Sequence, residues 1–394
     1  MANHTVPERR RSWFPLSQLC HTVIGRWLPG RKEAGEASDS PERLDHMRRD
    51  FEQAVVRLGI IGESGSGKSS LINAIVGRPI AAVGALVETT QQAQEVPVDG
   101  VVLVDLPGCG TPTWPRETYI DKLKLLDSYD GFILVTAHRL KECDAMLYEE
   151  LARKAKKPFF IVRSHFDQAA AAHPEAEARK VISENIRRQL HADERLPLYM
   201  VCSVGTHHYD LERLILNVRS ALPGWKQVRF IMAAHAYGRE TVTQKREAAE
   251  QVVGIYAGLS AANALNPIPG LDIGVDVGLL TTMSRHIIST YGLRPEQVEA
   301  LKSQSTMRTA LYQSARQAAD RFAPYLTEKF VVAALTKMGM KVAVKNTSKW
   351  VPFVGTAISA GIGYTLAFRY GEQLIDDCES AALTIIDDVE AAVT

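Results

Sequence analysis

Between Val55 and about Pro223 the chain alternates short apolar runs with longer amphipathic stretches. The runs are Val55–Ile61, Val101–Leu106, Gly131–Ala137, Phe159–Arg163 and Leu198–Cys202. Runs this short and this continuously apolar predict strands buried on both faces, and the stretches between them predict helices. Together they describe an α/β unit with a mainly parallel sheet. From about Trp225 the strand pattern stops and the text becomes helical, rich in Ala and Gly, with Asn266-Pro-Ile-Pro-Gly-Leu-Asp272 breaking one long pattern. Trp350–Phe368 is nineteen residues without a formal charge. That length touches the threshold for a membrane span. Its Pro352, Gly355, Gly361 and Gly363, with Thr356, Ser359 and Thr365, suit close helix packing, and no second comparable span exists. A buried core helix is therefore expected, with Glu372–Asp388 closing an all-α domain.

Residues 1 to about 50 form a basic leader. Arg9, Arg10 and Arg11 precede Trp13 and Phe14, and Leu16, Leu19, Val23, Ile24, Trp27 and Leu28 recur near helical spacing. Such a helix either packs on the protein's own helical half or lies on an anionic membrane surface. Gly30–Pro41 reads as a linker.

The chemistry is concentrated where strands end. Gly62-Glu-Ser-Gly-Ser-Gly-Lys-Ser-Ser70 directly follows the first run and opens a helical stretch. Gly62, Gly67, Lys68 and Ser69 have the spacing of a phosphate-binding loop. Gly62, Gly65 and Gly67 let backbone N–H groups turn inward toward phosphate oxygens. Lys68 reaches the outer phosphates, Ser69 can ligate Mg²⁺, and Ser66 and Ser70 complete the loop. This combination implies a bound nucleotide.

The second run closes with Asp105-Leu-Pro-Gly108. Asp105 is placed to hold Mg²⁺, and the Gly108 N–H to meet a γ-phosphate. Between these motifs, Gly84–Gln91 carries Thr89 and Thr90; Thr90 is the favoured switch threonine and third metal ligand. Base selection should follow the fourth run, at Arg163-Ser-His-Phe-Asp167. A carboxylate at Asp167 accepts two hydrogen bonds from guanine, where adenine offers no matching donors. His165 can stack on the base. Ser203, after the fifth run, lies where a backbone N–H can meet guanine O6.

Size and composition narrow the classes. The 394 residues suffice for two or three domains, and a net charge of +1 argues against a nucleic-acid partner. Five scattered cysteines without metal-ligand spacing suit a reducing compartment such as the cytosol, with a peripheral membrane position as a further option. No secretory signal is apparent, and Ala2 lacks the glycine that N-myristoylation needs.

The pieces together resemble the immunity-related, interferon-inducible GTPases. The resemblance runs through GESGSGKSS, DLPGCGTP, TYIDKLKLLDSYDGFILVTAHRLKECD, VRSHFD and HHYDLERLILNVRSALP. It continues in NPIPGLDIGVDVGLL and VPFVGTAISAGIGYTLAFRY, and so covers roughly Phe51 to the end. It implies a Ras-like P-loop GTPase domain at 51–224, a helical domain at 225–394, and a leader at 1–50 that joins it. It also implies GTP-dependent self-association as a homodimer or oligomer and, for several members, action on intracellular membranes in host defence. A bacterial GTPase of the same architecture would share these features. Ser164-His165 departs from the family's Thr-Lys.

Phosphoryl transfer to water needs a positioned nucleophile and neutralised charge. Lys68, Mg²⁺ and the loop amides, with Thr90 and Gly108, supply the second. The residue after Gly108 is Cys109, a poor guide for water, so slow intrinsic hydrolysis completed by a second protomer is expected. Glu63 is the candidate for the cross-molecule contact. The alternatives are a nucleotide-gated binding module with incidental hydrolysis and, disfavoured by Asp167, an ATP-using enzyme.

Overall fold

The structure is a computed structural model and describes residues 41–81, 92–204, 207–263, 272–303, 309–338 and 354–393. Six strands form one sheet: β1 (Val56–Ile61), β2 (Gln94–Val98), β3 (Val101–Asp105), β4 (Gly131–Thr136), β5 (Phe159–Arg163) and β6 (Leu198–Met200), in the spatial order β2-β3-β1-β4-β5-β6. Five strands run parallel, as the apolar runs predict. β2 pairs antiparallel with β3, bringing Gln94 opposite Asp105 and Val98 opposite Val101. It carries three exposed residues and Pro97, so it gives no apolar run. Its place at the sheet edge tolerates the missing N–H. Asp99 and Gly100, both at positive φ, turn the hairpin.

Strand alternation sends neighbouring side chains to opposite faces. Leu58, Ile60, Leu103 and Ile133 face helices α1 (Pro41–Gln53), α2 (Lys68–Val76), α6 (Leu211–Ala221) and α7 (Trp225–Ala233), whose Phe51, Leu71, Leu214 and Phe230 join the same core. Ile61, Val104, Phe132 and Leu134 face the other way, onto Tyr119, Leu147 of α3 (Glu142–Leu147), and Ile186 of α5 (Glu175–Gln189). The short α4 (Phe166–Ala172) leads from β5 toward α5.

The second half contains α8 (Arg239–Asn263), α9 (Asp272–Thr290), α10 (Thr309–Phe322), α11 (Glu328–Lys337) and α12 (Val354–Val393). α12 packs along α8 and α10, and Val252, Met283 and Leu374 extend the first core without a break. α1 runs across residue 50 and packs on α8, with Phe51 edge-on to Trp225 and His286. Lys245, almost wholly buried, ties three segments together. Its Nζ donates to the carbonyls of Ile231 (2.8 Å), Met232 (3.2 Å) and Thr290 (2.6 Å), satisfying the C-terminal ends of α7 and α9.

The basic helix expected before residue 40, the loop bearing Thr89 and Thr90, and Trp350–Phe353 all lie outside the described residues. The remainder of the uncharged stretch opens α12, where Ala367 and, just beyond, Tyr370 are core residues. Among the described residues no helix is long and apolar enough to cross a membrane.

Candidate nucleotide site

β1 delivers the chain to the glycine-rich loop, and α2 begins at its last lysine. Two glycines are required by the geometry. Gly62 has φ 142°, and a Cβ there would lie 2.2 Å from the Val135 carbonyl of β4. Gly67, at φ 92°, caps α2 in the left-handed region. The loop therefore hugs the end of the central strand, as a phosphate cradle needs.

Lys68 folds back over the loop. Its Nζ donates to the carbonyls of Gly62 (3.2 Å) and Glu63 (3.1 Å) and stands 3.7 Å from Asp105 Oδ1. Both side chains are buried, at 6% and 4% exposure. Burial pushes the Lys68 pKa below the ordinary lysine value, opposed by the charge of Asp105. Ser69 Oγ donates to Asp105 Oδ2 at 2.7 Å, which leaves Oδ1 buried without a hydrogen bond of its own. A hydroxyl and an orphaned carboxylate oxygen, side by side beneath a phosphate loop, are the donor set a small hard cation takes. These residues fit Mg²⁺.

Ser164 connects the glycine-rich loop after β1 to the loop after β5. Its buried hydroxyl donates to the Ser66 carbonyl at 2.6 Å and also lies 3.2 Å from the Thr136 carbonyl. The sequence marks this serine only as a departure; its place as a latch depends on a contact between residues 98 positions apart. His165 follows at φ 52°, exposed, with Nε2 3.5 Å from where a Cβ on Gly67 would sit. Asp167 is exposed at the start of α4 and lies beside the Cys202 thiol. Ser203 is half-buried on the loop after β6, near the exposed Val204. His165 thus stands beside one end of the glycine-rich loop, with Asp167 two residues further along and Ser203 next to Cys202. Thr90 cannot be placed, because it lies outside the described residues.

The other end opens into a cleft of about 700 Å³. Its walls are Gly62, Glu63 and Lys68; the turn from Gly108 to Trp114; and Lys141 to Asp144 at the head of α3. That third wall is absent from the sequence-predicted site, where HRLKECD enters only as part of the family resemblance. Lys141 Nζ pairs with Glu63 across the mouth, both more than half exposed. Asp144 Oδ2 accepts the Lys141 backbone N–H at 2.8 Å and caps α3. Burial raises the Asp144 pKa. Cys109 is half-buried against Cys143, and desolvation together with that neighbour pushes its pKa up to about 12. Near neutral pH it is a thiol and cannot act as a base.

The sequence has relatives among known proteins. The family model described as interferon-inducible GTPase (IIGP) matches residues 33–360. Interferon-inducible GTPase 5 of Rattus norvegicus is 26% identical over 383 residues, covering 91% of this chain and 81% of the relative. Interferon-inducible GTPase 1 of Mus musculus is 28% identical over 300 residues, covering 71% and 72%. T-cell-specific guanine nucleotide triphosphate-binding protein 2, also of Mus musculus, is 28% identical over 245 residues, covering 58% and 59%. The family match spans most of the chain, including the phosphate loop, the Asp105 strand end and the base loop. The chain belongs to the interferon-inducible GTPase family and is a GTPase.

Proposed function

We propose that the chain hydrolyses GTP to GDP and phosphate at this cleft, and that a second copy of the chain activates it by meeting the same face. The observation that carries the hydrolytic reading is the cluster of buried Lys68 and Asp105 with half-buried Ser69 at the carboxyl ends of β1 and β3. Lys68 gives up its contacts to Gly62 and Glu63 to reach the outer phosphates, while the loop amides hold the phosphate oxygens in place. Ser69 and Asp105, with Thr90 as the expected third group, would hold Mg²⁺. The ion, when bound, neutralises charge on the phosphate oxygens. Asp167 selects guanine by accepting from its N1–H and amino groups, His165 covers the base, and the Ser203 loop faces O6.

What supports self-activation is the cleft's third wall and the thiol of Cys109 where a water-orienting side chain would stand. Cys109 stands after Gly108 and is occupied with Cys143. The Glu63–Lys141 pair is exposed at the mouth, where either charge can exchange partners with a facing copy. A two-fold pair of this kind uses one surface twice.

We assign residues 51–224 to the GTPase domain and 225–394 to a helical domain that the leader joins. The leader's Trp13, Phe14 and arginines suit an anionic intracellular membrane as the place of action.

The test is phosphate release per mole of enzyme over a hundred-fold range of concentration, with light scattering in parallel. Specific activity should rise as dimers form, and in the scattering measurement a triphosphate analogue should favour the dimer over GDP. A flat specific activity across the dimerisation range removes self-activation and leaves a nucleotide-gated binding module.

A further inference from the structure

Two thiols meet inside the nucleotide cleft, one on each of two walls. Cys109 follows Gly108 in the turn after β3, and Cys143 sits in the first turn of α3. The Cys109 thiol is within hydrogen-bonding reach of Cys143. Cys143 Sγ also crowds the next residue of the turn, standing 2.7 Å from where a Cβ on Gly110 would be. Both are half-buried and border open cleft, whereas the other described cysteines, Cys202 and Cys378, are buried.

We propose that Cys109 and Cys143 form a peroxide-oxidisable dithiol, and that their disulfide pins the turn after Asp105 to α3 and stops GTP turnover. The effect on turnover rests on the reading above; the chemistry of the pair does not. Cys143 attacks a hydroperoxide as the thiolate, the O–O bond breaks, and the products are a Cys143 sulfenic acid and the corresponding alcohol, or water from hydrogen peroxide. Cys109 then attacks the sulfenic sulfur, the S–O bond breaks, and the hydroxyl leaves as water with the Cys109 proton. Two thiols and one hydrogen peroxide become one disulfide and two molecules of water; an organic hydroperoxide gives one alcohol and one water. Burial and the neighbouring Cys143 both hold Cys109 protonated; oxidation of Cys143 removes the second of these influences, which frees Cys109 to act as the resolving thiol.

The consequence is mechanical. Gly108 precedes Cys109 directly, and Gly110 N donates to the Trp114 carbonyl at 2.9 Å to close the turn. A covalent bond at Cys109 would fix this turn on α3, so its N–H groups could not move with the phosphate they are expected to meet.

The experiment uses the full chain, reduced and then exposed to hydrogen peroxide, blocked with N-ethylmaleimide and digested without reductant. Mass spectrometry should find one cross-linked pair of peptides carrying Cys109 and Cys143, lost on dithiothreitol treatment and absent from Cys109→Ser and Cys143→Ser. Recovery of both cysteines alkylated, over-oxidised singly or linked elsewhere overturns the assignment. GTP turnover by the wild type should fall on oxidation and return with dithiothreitol. Each serine variant, compared with its own reduced sample, should show no such reversible loss. A mapped disulfide with unchanged turnover overturns the regulatory role. A reduced wild type that releases no phosphate counts against the GTPase reading instead, and peptide mapping still decides the dithiol.

Discussion

Ser164 Oγ donates to the Ser66 carbonyl at 2.6 Å, joining the loop after β5, where base selection is proposed, to the glycine-rich loop after β1. The hydroxyl also approaches the Thr136 carbonyl, so β4, β5 and the phosphate loop meet at one buried atom. Removing it leaves a buried carbonyl short of its donor. Ser164→Ala should therefore weaken GDP binding by about 1–2 kcal/mol, roughly five- to thirty-fold in Kd. A fluorescent-GDP titration measures this directly. An unchanged Kd would mean that the two loops are positioned independently.

Lys245 makes a prediction about folding rather than nucleotide. Its three acceptors are the carbonyls of Ile231, Met232 and Thr290, at or near the ends of two helices. Lys245→Met preserves the aliphatic stem but strands all three. A loss of about 2–4 kcal/mol is expected, from several buried acceptors left unpaired at once. Thermal unfolding should show a clearly lowered Tm; an unaltered Tm would contradict the role given to this ammonium.

The seam between α8 and α12 should be sensitive to pH. Arg246 there faces four carboxylates, those of Glu250, Glu372, Asp376 and Glu379. Desolvation first, and then Glu250, raise the Glu372 pKa to about 7 from an ordinary 4.5. A carboxyl whose folded pKa is raised adds stability that is fully present below the unfolded pKa and is lost as pH rises through the folded one. Stability should thus fall between about pH 4.5 and pH 7, by about 2 kcal/mol from this group after allowance for its partial exposure. Glu372→Gln should flatten that slope in urea titrations at several pH values. A slope identical to wild type would place the titrating group elsewhere.

The sheet was legible because its five parallel strands are buried on both faces, even β6 at the edge, so β1, β3, β4, β5 and β6 each appear as an apolar run. β2 was not: three of its five residues are exposed and Pro97 interrupts it, so only the Asp99–Gly100 turn marks a hairpin. The site divides in the same way. Ser69 and Asp105 belong to separate local motifs, and spacing alone nominates each; the fold adds the 2.7 Å contact between them. Ser164, Lys141, Asp144 and Cys143 carry no local pattern of that kind. Their positions follow from which strand ends lie side by side, a fact of topology that no short stretch encodes. Asp99 is a further case, its carboxylate accepting from Arg294 Nη2 at 2.9 Å and Ser289 Oγ at 3.1 Å in the helical half.

One guanine nucleotide, held by its phosphates at Lys68 and by its base at Asp167, is the ligand on which the proposed function depends. Calorimetric titration with non-hydrolysable GTP and ATP analogues, in magnesium, tests both ends of that claim. Wild type should bind the GTP analogue and reject the ATP analogue, Lys68→Ala should bind neither, and Asp167→Asn should lose about 2–5 kcal/mol for the GTP analogue alone. Equal affinity of the wild type for both analogues, or a Lys68→Ala protein that binds as the wild type does, would contradict it.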